Sequence, residues 1–189
     1  MEATELLATR RSCSKLGEPA PSGEVWERIA RSALRAPDHG TLRPWNILLF
    51  RGEARNALGE LMAAHAKRAK PDIGSEELER ERRKPLRAPL VIAVAARVSE
   101  SPKAPAIEQL LSAGCVAYGL VLGLQAEGFG AIWRTGDFTY AKETRAALGL
   151  ADTDALVGFI YAGTPTSEPP EGNRPDPAQF VTEWTGPAT

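Results

Sequence analysis

Residues 89–96 read Pro-Leu-Val-Ile-Ala-Val-Ala-Ala, a run without a single polar interruption. Successive side chains on a strand point to opposite faces, so a strand apolar at every position must be covered on both sides. The run therefore predicts a central strand sandwiched between two layers, the helices that flank it in sequence being the natural cover. A second stretch has the same character at helical length. Leu110 to Ala126 is seventeen residues without a charge, bracketed by Glu108 and Glu127 and punctuated by Ser112, Gly114, Gly119, Gly123 and Gln125. Its length approaches that of a membrane span, but one short, glycine-rich, polar-punctuated stretch reads as a wholly buried helix. A helix apolar all round needs cover all round, and in a small chain that calls for a second subunit.

Working outward, Thr4–Arg11 is expected to be helical, with Leu6 and Leu7 as its apolar positions. After Pro19 and Pro21, Ser22 is placed to cap a helix running to Arg35, whose Val25, Trp26, Ile29, Ala33 and Leu34 repeat at three-to-four spacing. Asn46–Phe50 is a short buried strand, Glu53–Lys70 a charged helix, and 71–84 a charge-dense segment, helical from Ser75, read as a solvated, mobile cover. Downstream of the long helix (106–127), Phe129–Arg134 and Ala155–Ala162 are strands, with a helix capped by Thr139 and ending at Gly149 between them. Beyond Thr164 the chain is rich in Pro and Gly, with Phe180 and Trp184 as its large anchors. Such a tail has no core of its own and is expected to strap onto a neighbour. The pattern is an α+β layered domain spanning 1–189, with helices outnumbering strands.

Bulk properties narrow the function. The 189 residues are 43% hydrophobic and 25% charged with a formal net charge of −1, so no basic field exists to hold nucleic acid or an anionic membrane. Any anion site must be a local cluster of arginines and lysines. The two cysteines, Cys13 and Cys115, lie far apart in no metal-like spacing and are expected to be reduced and buried. Acidic Glu2 and Glu5 stand where an export signal would be basic, so a cytoplasmic protein is expected. Gly128-Phe-Gly130-Ala-Ile-Trp133 has Trp in place of the last glycine of a dinucleotide fingerprint, and the phosphate-loop, zinc-protease and serine-hydrolase motifs are missing. With His39 and His65 as the only histidines, a histidine-rich metal site is not expected, and His65, in a charged helix, reads as surface.

Three loops concentrate the remaining chemistry. Arg10-Arg11-Ser12 closes the first helix. Two guanidinium forks and a hydroxyl suit a phosphate, though arginines at a helix end also suit the helix dipole. Arg35-Ala-Pro-Asp-His39-Gly-Thr-Leu-Arg-Pro-Trp45 packs polar groups into a short Pro-bounded loop that either faces a ligand or is a capped turn in which Asp38 orders His39. Phe129-Gly-Ala-Ile-Trp-Arg-Thr-Gly136 ends a strand on a cation and a hydroxyl, either at a ligand edge or as core Trp133 and surface Arg134.

Taken together and in this order, the helix closed by Arg-Arg-Ser, the Ala-Pro-Asp-His-Gly-Thr-Leu-Arg-Pro-Trp loop, Ser112-Ala-Gly-Cys115 and Gly128-Phe-Gly-Ala-Ile-Trp-Arg-Thr-Gly136 resemble the nitroreductase family, in particular its short single-domain bacterial members. The resemblance runs over essentially the whole chain. It implies an α+β fold with a mainly antiparallel sheet flanked by helices, an intertwined homodimer, FMN held between the subunits, NAD(P)H as donor, and ping-pong transfer to a nitroaromatic, quinone or related acceptor. By the same resemblance Arg10, Arg11 and Ser12 match the opening flavin contact, and Arg35 and His39 match positions that reach the partner's flavin. Trp133, Arg134 and Thr135 match a late-strand contact. Gly123, Leu124, Gln125, Ala126, Glu127 and Gly128 match a segment linked to the nicotinamide cofactor. Two positions depart from the family pattern: Ser14 stands where a basic residue is frequent, with Lys15 beside it, and Thr41 where Asn is usual. No side chain is implied as general acid or nucleophile, because the flavin carries the chemistry. A flavoprotein of this fold with another reductive role, and a flavin-binding dimer without turnover, are the alternative readings.

Overall fold

The strand β3 (Leu90–Ala96) is sealed on both faces, every residue being at most 1% exposed. The computed structural model, which describes residues 2–172 and 174–186, shows how. Leu90, Ile92 and Val94 point into one core, shared with Ile29 and Ala33 of α2 (Gly23–Ala33) and with Val116, Leu120 and Leu124 of α5 (Ala106–Ala126). Val91, Ala93 and Ala95 point into a second core with Leu58 and Met62 of α3 (Glu53–Ala69) and with Phe159 and Tyr161 of β5 (Ala155–Pro165). The period-two alternation expected of a strand thus feeds two separate cores.

All pairings are antiparallel, which bears out the expected α+β class. β2 (Trp45–Arg51) pairs with one edge of β3, and β5 with the other. The far edge of β5 carries β4 (Gly130–Arg134) and then the two-residue β1 (Leu16–Gly17), which the sequence did not signal. A register shift between Val94 and Ala95 leaves an extra residue on β5, and Gly158 follows it at φ +153°. A Cβ on Gly158 would sit 2.3 Å from Trp133 Nε1, so the bulge and the glycine together make room for the indole.

The long helix is covered within the chain on one face only. Its inner face is core, and Gly119 and Gly123 let α2 approach closely at Ala33 and Ile29. Its outer face is not covered within the chain: Ile107, Leu111, Cys115 and Tyr118 are exposed at helical spacing. The helix is therefore not wholly buried in one chain, and of the two cysteines, both free, only Cys13 is buried. At 21 residues α5 is long and apolar enough to cross a bilayer, but its inner face belongs to the core.

Smaller corrections concern the helix ends. α1 (Ala3–Thr9) stops before the paired arginines, and Ser22 stands at the start of α2 without a side-chain capping bond. Thr139 is buried inside α6 (Asp137–Tyr140) rather than capping the next helix, α7 (Lys142–Ala147). The segment 71–84 does form α4 (Ser75–Arg82) as expected, but it is docked rather than loose. Arg82 bridges Glu60 (2.7 Å) and Glu79 (2.6 Å), and Lys70 pairs with Glu77 (2.8 Å).

α3 and α4 approach most closely at a glycine. A Cβ on Gly59 would lie 2.2 Å from the Arg82 carbonyl oxygen. Gly59→Ala gains up to about 1 kcal/mol of helix propensity, but the backbone clash costs about 1–3 kcal/mol or more. Urea unfolding should show a net loss; an unchanged or raised midpoint would mean that α4 does not pack this closely.

Candidate functional site

The ends of α5 carry the two halves of the candidate site. At its C-terminal end, Gln125 Oε1 accepts from the Arg11 backbone N–H (3.3 Å), and Gln125 Nε2 donates to Thr9 Oγ1 (3.3 Å). The Cys13 N–H donates to the Ala131 carbonyl (2.8 Å). The Arg-Arg-Ser turn is thereby clamped between helix and sheet. It opens on a depression of about 430 Å³ lined by Arg10, Ser12, Tyr118, Val121, Trp133 and Thr135. Arg11 turns away from it. Its guanidinium pairs with Glu171 (3.1 Å) and Glu168 (3.6 Å) and donates to the Pro169 carbonyl (3.1 Å). Among the described residues Arg10 has no carboxylate partner.

At the N-terminal end, His39 Nδ1 meets Glu108 Oε2 at 2.7 Å. The loop around it is held by Asp38, whose carboxylate accepts from the backbone N–H groups of Leu42 (3.2 Å) and Arg43 (2.8 Å). Asp38 thus orders the loop backbone rather than His39. Thr41 (φ +54°) and Arg43 (φ +49°) sit in the left-handed region, strain of a kind that clusters at functional sites. Trp45 is half-buried; its Nε1 donates to Ser112 Oγ (3.0 Å), which donates to the Pro37 carbonyl (2.6 Å). A second depression here is lined by Arg35, Asp38, Thr41, Arg43 and Trp45, and it shares no residue with the first.

The remaining expected positions have visible employments. Gly123 packs on Ile29, Leu124 is core, Gln125 holds the arginine turn, and Glu127 forms a two-bond ion pair with Arg28 (2.8 and 3.0 Å). That pair holds the Glu127 carboxyl below its usual range, through the hydrogen bonds from Arg28. Ala126 is exposed, and Gly128 turns the chain at φ +83°. Strand alternation separates Trp133 from Arg134. Trp133 lines the Arg10 depression, whereas Arg134 lines a cavity on the other side of the sheet.

That cavity, about 360 Å³, lies between α3, α4 and the β4–α6 turn. His65, expected to be plain surface, is instead half-buried in its wall, with its ring edge-on to Phe138 at 5.7 Å. Sequence reasoning also missed Tyr118 and Val121, hidden within an unbroken apolar helix. Gly158, a lone glycine inside a strand, was a usable signal. Arg174 was missed too. It reaches back from the tail to the Arg10 carbonyl (3.4 Å), so Glu168, Pro169, Glu171 and Arg174 are held against the chain's own arginine turn. The strapping expected of 164–189 otherwise concerns Phe180 and Trp184, which are 74% and 81% exposed. Residues 173 and 187–189 lie outside the described ones.

Known proteins resemble this chain in sequence and in fold. The Escherichia coli (strain K12) protein named "Putative NAD(P)H nitroreductase YdjA" is 42% identical over 183 residues, covering 96% of this chain and 99% of that protein. Among solved structures, a nitroreductase-like family protein from Bacillus cereus superposes with a TM-score of 0.81 at 22% identity, over 98% of this chain and 97% of that one. A variant of the FMN and NADPH-dependent nitroreductase NfnB from Sphigopyxis sp. strain HMH superposes at 0.75 with 21% identity, over 98% and 100%. The sequence pattern of the nitroreductase family matches residues 7–164. The chain belongs to the nitroreductase family.

Proposed function

We propose that the protein is an FMN-dependent oxidoreductase that takes hydride from NAD(P)H and passes it to a nitroaromatic, quinone or related acceptor in two half-reactions. The observation that carries the reading is the Arg10–Ser12–Trp133–Thr135 depression, where one guanidinium, without a carboxylate partner among the described residues, stands beside the apolar Tyr118, Val121 and Trp133. A flavin mononucleotide asks for both features: one phosphate partner and a wall for a flat ring. Arg10 is the phosphate candidate, supported by Arg174 beside it, because Arg11 is already neutralised by two glutamates. FMN supplies the hydride-carrying chemistry there. The chain's part is to hold it and orient it, with Gln125 fixing the turn that presents Arg10 and Ser12.

The site is shared between two copies. His39 and the arginine turn are anchored seventeen residues apart on α5, at Glu108 and Gln125, a separation of about 25 Å along a helix. One chain cannot bring them to one small molecule. A two-fold axis crossing the exposed stripe of α5 antiparallel can, because it sets the start of one helix beside the end of its mate. The same stripe and the unseated Phe180, Val181 and Trp184 supply the apolar surface such an interface requires. As a cytoplasmic homodimer the protein has two equivalent composite sites.

Two predictions test this. Leu111 is 62% exposed, so the chain's fold does not depend on it. Leu111→Asp should turn a species of twice the chain mass in sedimentation into a monomer and release its flavin. A wild-type monomer that holds FMN would refute the shared site.

The second prediction uses complementation. Arg10→Ala should weaken FMN binding more than His39→Ala, since a charge-assisted contact is worth about 1.5–3 kcal/mol against about 0.5–1.5 for a neutral one. Mixing the two inactive variants should restore up to about half the activity per heterodimer, since one site then carries both lesions and the other none. If mixing restores nothing, both residues serve the same site from one chain. A purified protein that is colourless and cannot be reconstituted with FMN would end the flavin reading altogether.

A further inference from the structure

The α3–α4 cavity lies on the opposite side of the sheet from the Arg10 depression, and the proposed oxidoreductase reading does not use it. Its walls are of two kinds. Met62, Ala66 and Ile73 form an apolar side, and Phe138 and Phe159, stacked at 5.7 Å with 28° between their planes, form an aromatic one. The charged groups around it cancel in pairs: Lys70 with Glu77, and Lys84 with Glu81. Two cations at the mouth, Arg87 and Arg134, are left without a carboxylate partner among the described residues, against the single carboxylate of Asp137. Tyr161 lines the cavity, its side chain largely buried. Burial pushes the phenol above its ordinary range, so it stays a neutral donor, and the positive charges that act on it are those of Arg87 and Arg134.

We propose that this cavity binds a small planar carboxylate of the aromatic-acid class, its ring against Phe138 and Phe159 and its carboxylate received by Arg87, Arg134 and the Tyr161 hydroxyl. A guanidinium fork matches carboxylate geometry and a phenol adds a third donor, while stacked phenyl rings present a flat apolar wall. A volume of about 360 Å³ admits a single-ring acid. Such a ligand is distinct from the hydride acceptor: it sits behind β4, away from Trp133, with Thr135 as the residue lining both spaces.

Calorimetric titration of the purified holoprotein with sodium benzoate tests the assignment, with benzamide as its uncharged isostere. Benzoate should bind without disturbing the visible flavin band, and benzamide about tenfold more weakly or worse. Arg87→Gln should cost about tenfold in benzoate affinity, and Tyr161→Phe a smaller loss of several-fold. Should Arg87→Gln fail to fold by circular dichroism, Tyr161→Phe decides alone, since it removes one oxygen from a wall that is otherwise kept. Absence of benzoate binding, equal binding of benzamide, or binding that perturbs the flavin and ignores both substitutions would each overturn the proposal. None of these outcomes bears on whether FMN occupies the Arg10 depression, which is read separately from the protein's colour.

Discussion

The seven residues of β3 have no face left for water, and everything else in the chain is arranged around that constraint. A strand buried on both sides must be roofed twice. α5 and α2 form one roof, and α3, with α4 docked behind it, forms the other. The first roof is made close-fitting by glycine: Gly119 and Gly123 bring α2 to within contact of the α5 backbone. Hydrophobic burial on this scale dominates the folding free energy, and it fixes where α5 begins and ends.

Once α5 is fixed, its two ends become the points from which function is hung. Each end captures one polar segment through a side chain: Gln125 takes the arginine turn and Glu108 takes His39. The outer face of the same helix remains apolar and open. One element therefore roofs the core, carries both halves of the proposed binding site and keeps an apolar face open to a second copy. The bulge in β5 plays a smaller version of the same role, spending one glycine to admit the Trp133 indole.

How much of this was legible depends on whether the signal was local. Strand β3, helix α5 and the layered α+β class could be read because apolar periodicity is written into consecutive residues. The three polar loops stood out for the same reason, each being a dense run of unusual composition. What remained hidden was set by tertiary partners. The outer face of α5 looks the same in sequence as its inner face, so Cys115 and Cys13 could not be told apart. His65 read as surface because the ring that half-buries it, Phe138, lies far along the chain. Arg11 looked equivalent to Arg10, and only the fold shows Glu168 and Glu171 coming back to claim it. Arg174, a single cation in a proline-rich tail, carries no local mark at all. In each case the deciding neighbour is remote, and composition or spacing cannot report it.

The alternation of β4 has a consequence for how such a protein can change over generations. Trp133 and Arg134 are adjacent in the chain yet face opposite compartments, and Thr135 lines both. Substitutions around α3 and α4 touch one compartment directly and reach the other only through the close-packed sheet that separates them. Thr135 is the exception, a shared wall where any enlargement is felt on both sides. A change at Arg87 or Ala66 thus alters the wall of one compartment alone, whereas a change at Thr135 alters two at once.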